Sequence, residues 1–389
     1  MRIGLVLPNT PQYSETFFIN KIKLLTECGH TVFLFARKTS HLENVKVIEP
    51  YEVSTLFVIQ CVKTIYVLFK LMLCHPCRVH KFIVDEIKDG LSWSCIAREM
   101  YINSHILCQK LDWLHFGFLT MGLGRENVAQ AIGAKAAVSI RGYDVSIYPL
   151  KRPGCYNRLW KKIDKVHTIS DDLLEEAYLL GLPKSITVVK ITPAINWRQF
   201  KVDVFDRHLV TPLRLLTVGR LAWKKGYEYA FLALALLKQR GVAFTYSIIG
   251  EGPDKERLVF AAYQLGIADH VRFVGVQPPQ NVAVWMRESS VYLQPSVQEG
   301  FCNAVLEAQA SGLICVVTNA EGLSENVLDG QTGFVVPKRN PQAMAEKINE
   351  IIAMSEEERS TIQKYAMERV RVLFNLDLQQ RKWAAFYSA

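Results

Sequence analysis

Two carboxylates, Glu299 and Glu307, bracket a tight turn and the start of a helix. Ahead of them Val291-Tyr292-Leu293-Gln294 reads as a buried strand that Pro295-Ser296 ends. After them Ala304, Val305, Leu306, Ala308 and Ala310 read as a helix that Gly312 stops. This order puts Glu299 in a loop and Glu307 about two turns into the helix. The amides of Phe301, Cys302 and Asn303 then lie near an unsatisfied helix N-terminus, where polar or anionic ligand groups can be held. Eight residues of helix turn through roughly 800°, close to whole turns, so both carboxylates can point toward one crevice. The alternative is an acid complementing a helix dipole plus an exposed helical glutamate.

A second group lies upstream. Arg220 and Lys225 follow the strand Leu213 to Val218 and are flanked by Gly219 and Gly226. The glycines allow close backbone approach, and the two cations can hold a diphosphate without a metal. The alternative is a pair of solvated surface charges. Carboxylates accept hydrogen bonds from vicinal diols, so Glu299 and Glu307 can hold sugar and ribose hydroxyls. Together these parts describe a site for a nucleotide-diphosphate sugar. Other chemistries lack their residues. The loop from Gly219 to Gly226 has no G-K-[S/T], and Gly250-x-Gly252 lacks a third glycine at the dinucleotide offset. No G-x-S-x-G elbow, metal-spaced His pair or D-x-D triplet occurs.

The elements that must position these groups alternate strand and helix. Ile3 to Leu7 is a strand, and Pro8 to Tyr13 a loop. Ser14 caps a helix through Phe17, Phe18, Ile22, Leu24 and Leu25 to Gly29, and Thr31 to Ala36 is a second strand. Ser54 to Cys74 is the most hydrophobic stretch, with Gln60, Lys63 and Lys70 on one narrow helical face. Each lysine would cost about 2.5–3.5 kcal/mol at a bilayer centre, which argues against a span. A buried or half-buried core helix is the first expectation, an interfacial helix the second. Lys81 to Cys108 reads as further helix. Trp113 to Phe116, Ala137 to Ile140, Lys165 to Ile169 and Ile186 to Ile191 read as strands. The polar turn Arg141-Gly142-Tyr143-Asp144 follows one of them, where open α/β sheets bind ligands. Asp144 reads equally well as a helix or turn cap. Residues 197–212 read as a linker, after which strand and helix alternate again. An amphipathic aromatic helix, Leu376 to Tyr387, closes the chain.

The chain has 389 residues, half of them hydrophobic, enough for two cores. Its nine cysteines show no disulfide or zinc framework and read as mostly buried small hydrophobes in a reducing cytosol. The N-terminus reads as a strand rather than a signal segment. The net charge of +9 favours an anionic partner. Nucleic acid is the weakest choice, because no such motif appears.

The chain resembles the retaining family-4 nucleotide-sugar glycosyltransferases of the GT-B fold. In the second half the likeness rests on Val218-Gly219-Arg220…Lys225-Gly226, Ile249-Gly250-Glu251-Gly252-Pro253, Phe273-Val274-Gly275, Pro295-Ser296…Glu299-Gly300-Phe301…Asn303…Leu306-Glu307-Ala308 and Gly322…Glu325-Asn326-Val327…Gly330-Gln331-Thr332-Gly333-Phe334. In the first half Pro11-Gln12-Tyr13-Ser14-Glu15-Thr16-Phe17 and His115-Phe116 look like the branch that builds bacterial capsule, O-antigen and exopolysaccharide. The resemblance implies two Rossmann-like, doubly wound α/β domains facing a cleft. Residues 1–200, joined by a C-terminal helix 376–389 that crosses back, would take the acceptor. Residues 201–375 would bind the donor.

It also implies roles. Arg220 and Lys225 would bind the donor diphosphate and stabilise the leaving group. Glu307 would hold the ribose, and Glu299 with the backbone of Gly300, Phe301, Cys302 and Asn303 the transferred sugar. Gly219 and Gly250 belong to the donor loops, and Gly275 and Val276 would lie beside the base. Arg141 stands where the family motif usually begins with His, and Asp144 is retained. Ser14, Glu15, Thr16 and His115 would lie on the acceptor side. No metal or cofactor is implied, only the nucleotide sugar as co-substrate. The expected partners are a lipid-linked or oligosaccharide acceptor and the inner-membrane surface, with the protein cytoplasmic and peripheral. The rival readings are an epimerase or phosphorylase of the same fold, and a non-catalytic sugar-nucleotide-binding protein.

Overall fold

A computed structural model of the chain describes residues 1–11, 16–39, 45–201 and 209–388. The chain divides into two units, Met1–Ile191 with Gln380–Ala389, and Thr192–Gln379. The first contains β1 (Arg2–Asn9), α1 (Thr16–Glu27), β2 (Thr31–Arg37), β3 (Lys46–Ile48), α2 (Phe57–Cys74), α3 (Pro76–Lys88), α4 (Trp93–Leu107), β4 (Trp113–Phe116), α5 (Val128–Ile132), β5 (Lys135–Ser139), α6 (Tyr148–Lys151), β6 (Lys165–Thr168), α7 (Asp171–Leu179) and β7 (Thr187–Lys190). The second contains α8 (Trp197–Phe200), β8 (Leu213–Val218), α9 (Tyr227–Gln239), β9 (Phe244–Ile249), α10 (Lys255–Gln264), β10 (Val271–Gly275), α11 (Pro279–Glu288), β11 (Val291–Gln294), α12 (Asn303–Ala310), β12 (Ile314–Thr318), α13 (Leu323–Asn326), β13 (Phe334–Val336), α14 (Pro341–Ala353) and α15 (Glu356–Leu373). A last helix, α16 (Leu376–Ser388), ends in the first unit.

Both sheets are parallel. Their orders are β3-β2-β1-β4-β5-β6-β7 and β10-β9-β8-β11-β12-β13. Each reverses direction beside its first strand, between β1 and β4 or between β8 and β11, which is the doubly wound arrangement. The strands are apolar on both faces because helices cover both. Leu5, Leu34, Leu114 and Val138 are buried in the first sheet, and Leu216, Ile248, Leu293 and Val316 in the second. Side-chain caps fix several helix starts. Ser92 accepts from the Cys95 amide, Ser170 from the Leu173 amide, and Ser355 forms a capping box with Glu358.

The terminal helix completes the first core. Trp383, Phe386 and Tyr387 are buried there with Ile3, Leu5, Leu34 and Trp113. The Trp113 indole donates to the Tyr387 carbonyl at 3.2 Å, and Lys165 Nζ to the Phe386 carbonyl at 2.8 Å. A buried polar chain continues inward. His167 Nε2 lies 3.0 Å from the Ile191 carbonyl and must donate to it. Its Nδ1 therefore accepts from the Ser139 hydroxyl at 2.8 Å. Ser139 Oγ then accepts from His115 Nε2 at 2.8 Å, and His115 Nδ1 accepts from Tyr387 Oη at 2.7 Å. Burial drives both imidazoles well below the usual histidine range, and Lys21 and Arg141 add to it.

Three readings of the sequence change. The apolar stretch is the helix α2, but it is not a core helix: only Val67 and Leu71 are fully buried. It rests on α4 along one stripe and leaves Phe57, Val58, Val62, Ile65, Tyr66, Phe69 and Leu73 exposed. Gln60, half-buried, is engaged near the start of the helix. Its carboxamide accepts from the Ser54 amide at 2.8 Å and donates to Thr64 at 3.1 Å. The helix over 81–108 is two helices, α3 and α4, with Gly90 at φ +81° between them. Of the cysteines, only Cys302 and Cys315 are buried, while Cys28, Cys74, Cys77, Cys95 and Cys108 are exposed. The first-unit cysteines sit mostly at helix ends rather than on core-facing strands.

A charge cluster ties α3, α4 and α5 together. Arg158 pairs with Glu126, with Glu86 at 3.3 Å, with Glu99 at 3.5 Å and with Asp89 at 4.0 Å. Burial pushes the Glu86 carboxyl up to about 7, and Glu99 and Glu126 add to it against the pull of Arg158. Removing Arg158 would leave Glu86, Glu99 and Glu126 without the cation they share. Arg158→Met is expected to cost about 3–5 kcal/mol in urea unfolding at pH 8. The loss should shrink toward pH 5, where the raised carboxyls are protonated and no longer repel. An unchanged urea midpoint at pH 8 would show that the cluster does not hold the helices.

Candidate functional site

The loops at the carboxyl ends of β8, β9 and β10 are pinned to one another by backbone. The Gly219 amide donates to the Ile249 carbonyl at 2.9 Å, Leu221 to Glu251 at 3.0 Å, and Gly250 to Gly275 at 2.9 Å. Gly250 has φ +142°, and a Cβ there would stand 2.0 Å from the Gly219 carbonyl oxygen. Only glycine fits. Gly226, at φ +63°, lies as close to the loop after β11: its Cβ would stand 2.2 Å from the Pro295 carbonyl oxygen. The Val297 amide donates to the Lys224 carbonyl at 2.8 Å, closing the same contact.

That contact brings Lys225 to Glu299. Lys225 Nζ and Glu299 Oε2 form an ion pair with each side chain 12% exposed. Burial opposes the Lys225 charge, but the Glu299 carboxylate more than offsets it and the lysine pKa is raised. Ser296 Oγ lies 3.4 Å from the same carboxylate oxygen. Lys224 is pushed down by burial, against the pull of Glu299, with Lys225 and Arg220 adding to the fall. Arg220 is exposed at the rim. Three cations around one carboxylate leave an excess of positive charge at the sheet's carboxyl edge, able to meet an anion and hydroxyl donors together.

The turn after Glu299 differs from the sequence expectation. The Cys302 amide does not face open space. It donates to Asn326 Oδ1 at 2.9 Å, and Asn326 Nδ2 returns to the Cys302 carbonyl at 3.1 Å. The Glu299 amide is likewise taken, by Glu321 Oε2 at 2.6 Å. Cys302 is buried, and burial pushes its thiol up to about 11. Phe301 is buried against Phe374, ring centroids 5.6 Å apart. The helix begins only at Asn303, so Glu307 lies just over one turn in rather than two. The whole-turn relation between the carboxylates fails because Glu299 to Cys302 are not helical. Burial pushes the Glu307 carboxyl up to about 7. Glu307 is half-buried, and among the described residues no hydrogen bond holds its carboxyl, so it can accept from a ligand's hydroxyls. Gly275 has φ +80°, and Val276 beyond it is 73% exposed.

In the first unit Asp144 is fully buried and works as a turn cap. It accepts from the Thr120 amide at 3.2 Å, from Thr120 Oγ1 at 2.9 Å and from the Arg141 amide at 3.1 Å. Burial raises its pKa against those bonds. Direct contact with a reacting sugar is closed to it. The Arg141 guanidinium lies over the Phe17 ring at 4.2 Å and Phe18 at 5.5 Å. His115 is fully buried, with both ring nitrogens engaged by Ser139 and Tyr387, so it cannot touch an acceptor. A histidine on an apolar strand gave no sign of this, since its partners come from distant strands and the last helix. Ser14 and Glu15 lie outside the described residues, and Thr16 begins α1.

Sequence reasoning missed the support behind the site. Glu321, at φ +28°, holds the Glu299 amide and reaches Lys338 at 3.4 Å. Arg369 on α15 grips the Asn326 and Glu325 carbonyls at 2.8 and 2.6 Å. The run Glu325-Asn326-Val327 was visible as a motif, but the bonding of Asn326 to Cys302 was not.

Two parallel, doubly wound units are the arrangement of the GT-B fold class. Comparison with known proteins shows that residues 204–369 match the family described as Glycosyl transferases group 1. The chain is 29% identical over 283 residues to the putative colanic acid biosynthesis glycosyltransferase WcaL of Escherichia coli K12, covering 71% of this chain and 69% of that one. The protein of the same name from Salmonella typhimurium LT2 is 25% identical, with 99% of each chain covered. Among solved structures, Anabaena Alr3699/HepE in complex with UDP-glucose aligns with TM-score 0.71 at 15% identity, over 99% of this chain and 98% of that one. At that identity the likeness concerns the fold.

The raised Glu307 carboxyl has a stability consequence. Its folded pKa, about 7, lies above the unfolded value, so the folded state holds the extra proton between. Stability therefore falls as pH rises from about 4.5 through 7. Glu307→Gln removes that titration. The variant should gain on the wild type by about 1–3 kcal/mol on going from pH 5 to pH 8. Parallel unfolding curves at both pH values check it, and a constant difference would mean that Glu307 is not buried as a charge.

Proposed function

We propose that the chain is a retaining, metal-independent hexosyltransferase. It moves a sugar from a nucleotide-diphosphate sugar to a membrane-associated, lipid-linked glycan in bacterial polysaccharide synthesis. The observation that carries this reading is the Lys225–Glu299 pair beside Arg220, seated on glycine-pinned loops at a sheet's carboxyl edge. The relatives named for colanic acid biosynthesis support the polysaccharide class.

Arg220 and Lys225 bind the diphosphate, and Glu307 takes the ribose hydroxyls. Glu299, with Gly300 and Asn303, faces the transferred sugar. Gly219 and Gly250 let the phosphates approach backbone, and Gly275 with Val276 borders the base. As the bond from the sugar's anomeric carbon to the phosphate oxygen breaks, the acceptor oxygen bonds to the same face. Its proton passes to the departing phosphate oxygen. The cations stabilise the charge that builds on that phosphate, so the protein supplies electrostatics and positioning rather than a nucleophile. Asp144 acts at a distance by fixing the turn that carries Arg141.

The first unit takes the acceptor at the inner membrane surface. Helix α2 is long and apolar enough to cross a membrane, yet only 11% of it is buried. Its lysines favour an orientation in the headgroup layer over a span. Phe57, Val58 and Phe69 are 81%, 72% and 61% exposed, and burying each in lipid is worth roughly 1.5–3 kcal/mol.

Two measurements test these parts separately. A panel of nucleotide sugars, titrated for binding and slow hydrolysis, should identify a donor that Lys225→Ala and Glu299→Ala each bind at least tenfold more weakly. If neither replacement weakens the best donor, the site assignment is wrong. For the membrane, Lys63→Glu with Lys70→Glu should lower binding to anionic vesicles at least tenfold, given about 1 kcal/mol per basic residue at such a surface. Undiminished sedimentation with vesicles would remove the membrane from the proposal.

A further inference from the structure

The first unit contains a cavity of about 970 Å³ that none of the roles above uses. It opens at the carboxyl ends of β1 and β2, where parallel sheets receive ligands. Polar and aromatic groups stand out from its apolar lining. Arg37, Lys38 and Arg125 are cations, and His105 lines the wall from α4. Glu49 and Glu52 are carboxylates after β3. Tyr51 between them is an aromatic surface, 43% exposed, its ring centroid 6.0 Å from that of Tyr101.

Two polar atoms of this wall are buried and lack partners. Arg125 Nε makes no hydrogen bond, although Nη1 of the same guanidinium donates to the Met121 carbonyl at 3.1 Å. His105, 9% exposed, leaves Nδ1 without a bond of normal geometry, its nearest support being the Ile102 carbonyl in its own helix. Burial and the Arg125 charge push that imidazole down to about 4, so it meets a ligand as a neutral ring. A guanidinium N–H is always a donor, and a buried one without an acceptor is destabilising. An anionic oxygen would satisfy it. The carboxylates suit sugar hydroxyls, and an exposed aromatic ring suits a sugar's apolar face.

We infer that this cavity binds an anionic glycosyl unit, its phosphate or carboxylate held by Arg37, Arg125 and His105 and its hydroxyls by Glu49 and Glu52. The reading rests on the glycosyltransferase proposal only in naming this unit as part of the acceptor. The far wall, through Val53, leads within four residues into α2, so a ligand in the cavity lies beside the exposed apolar helix. The anionic group therefore has two sources: an acidic sugar of the growing glycan, or the diphosphate of a lipid carrier.

Titration calorimetry on the full chain separates them with three probes: methyl glucuronoside, farnesyl diphosphate and methyl glucoside. At least one charged probe should bind tenfold or more tightly than the neutral glucoside. The tighter of the two names the source. Arg37→Gln and Arg125→Gln should each weaken that probe at least fivefold while nucleotide-sugar binding stays as in the wild type. Arg37 is at the exposed rim, so its variant keeps the fold even if the Arg125 variant does not. Equal affinity for charged and neutral probes, or full affinity in the Arg37 variant, overturns the inference. A wild type that discriminates the charged probes but binds no nucleotide sugar would instead leave the cavity standing and defeat the transferase proposal.

Discussion

Backbone pressed on backbone at Gly226 and Gly250 is the constraint from which the second unit's site follows. A side chain at either position would collide with a carbonyl oxygen, of Pro295 or Gly219, at close to bonding distance. Because both are glycines, the turn after β8 lies flat against the loops after β9 and β11. Lys225 and Glu299, seventy-four positions apart, are then forced together. Desolvating such a pair is costly, and it persists only when geometry is good and partners are fixed. Here Ser296 on one side and Glu321 behind the Glu299 amide supply that fixity. A charge pair held this way is preorganised: it need not be assembled when an anion arrives.

The first unit solves a different problem with the opposite kind of material. Its strands bury polar groups rather than cations at a rim. The relay from Tyr387 through His115, Ser139 and His167 to the Ile191 carbonyl satisfies each donor once, and both imidazoles are neutral. Lys21 Nζ lies 3.7 Å from the Trp383 ring centroid, its pKa pushed well down by burial and by Arg141. These bonds attach the last helix to the centre of the sheet. The helix is thus part of that unit's core, although three hundred and more residues separate it from β1 and β2 in sequence. Arg158 does the same for α3 to α5, balancing carboxylates that would otherwise repel.

Helix α2 shows how composition can mislead about burial. An apolar run has no polar face to tell which side packs, and a core helix and an interfacial helix share that composition. What separates them is the supply of neighbours. Among the described residues α4 and α3 supply most of what lies against α2, so one stripe through Val67 and Leu71 is covered and much of the remainder is exposed. The cavity beside its N-terminal end was equally invisible, since Arg37, Tyr51, His105 and Arg125 come from four separate segments.

The sequence by itself determined the alternation of strand and helix, the aromatic last helix, and the turns carrying Arg220, Lys225 and Glu299. These are local matters: apolar runs of strand length, capping residues, and glycines at fixed offsets from a strand end. It could not show that the two sheets share one strand order, because different side chains build the same switch point. Tertiary structure alone decided that His115 and Asp144 are internal, that Cys302 spends its amide on Asn326, and that the Glu307 carboxyl is half-buried with its pKa raised. Each depends on which distant atoms arrive beside a group. Spacing along the chain carries no record of that, because burial and hydrogen-bond partnership are properties of the packed whole.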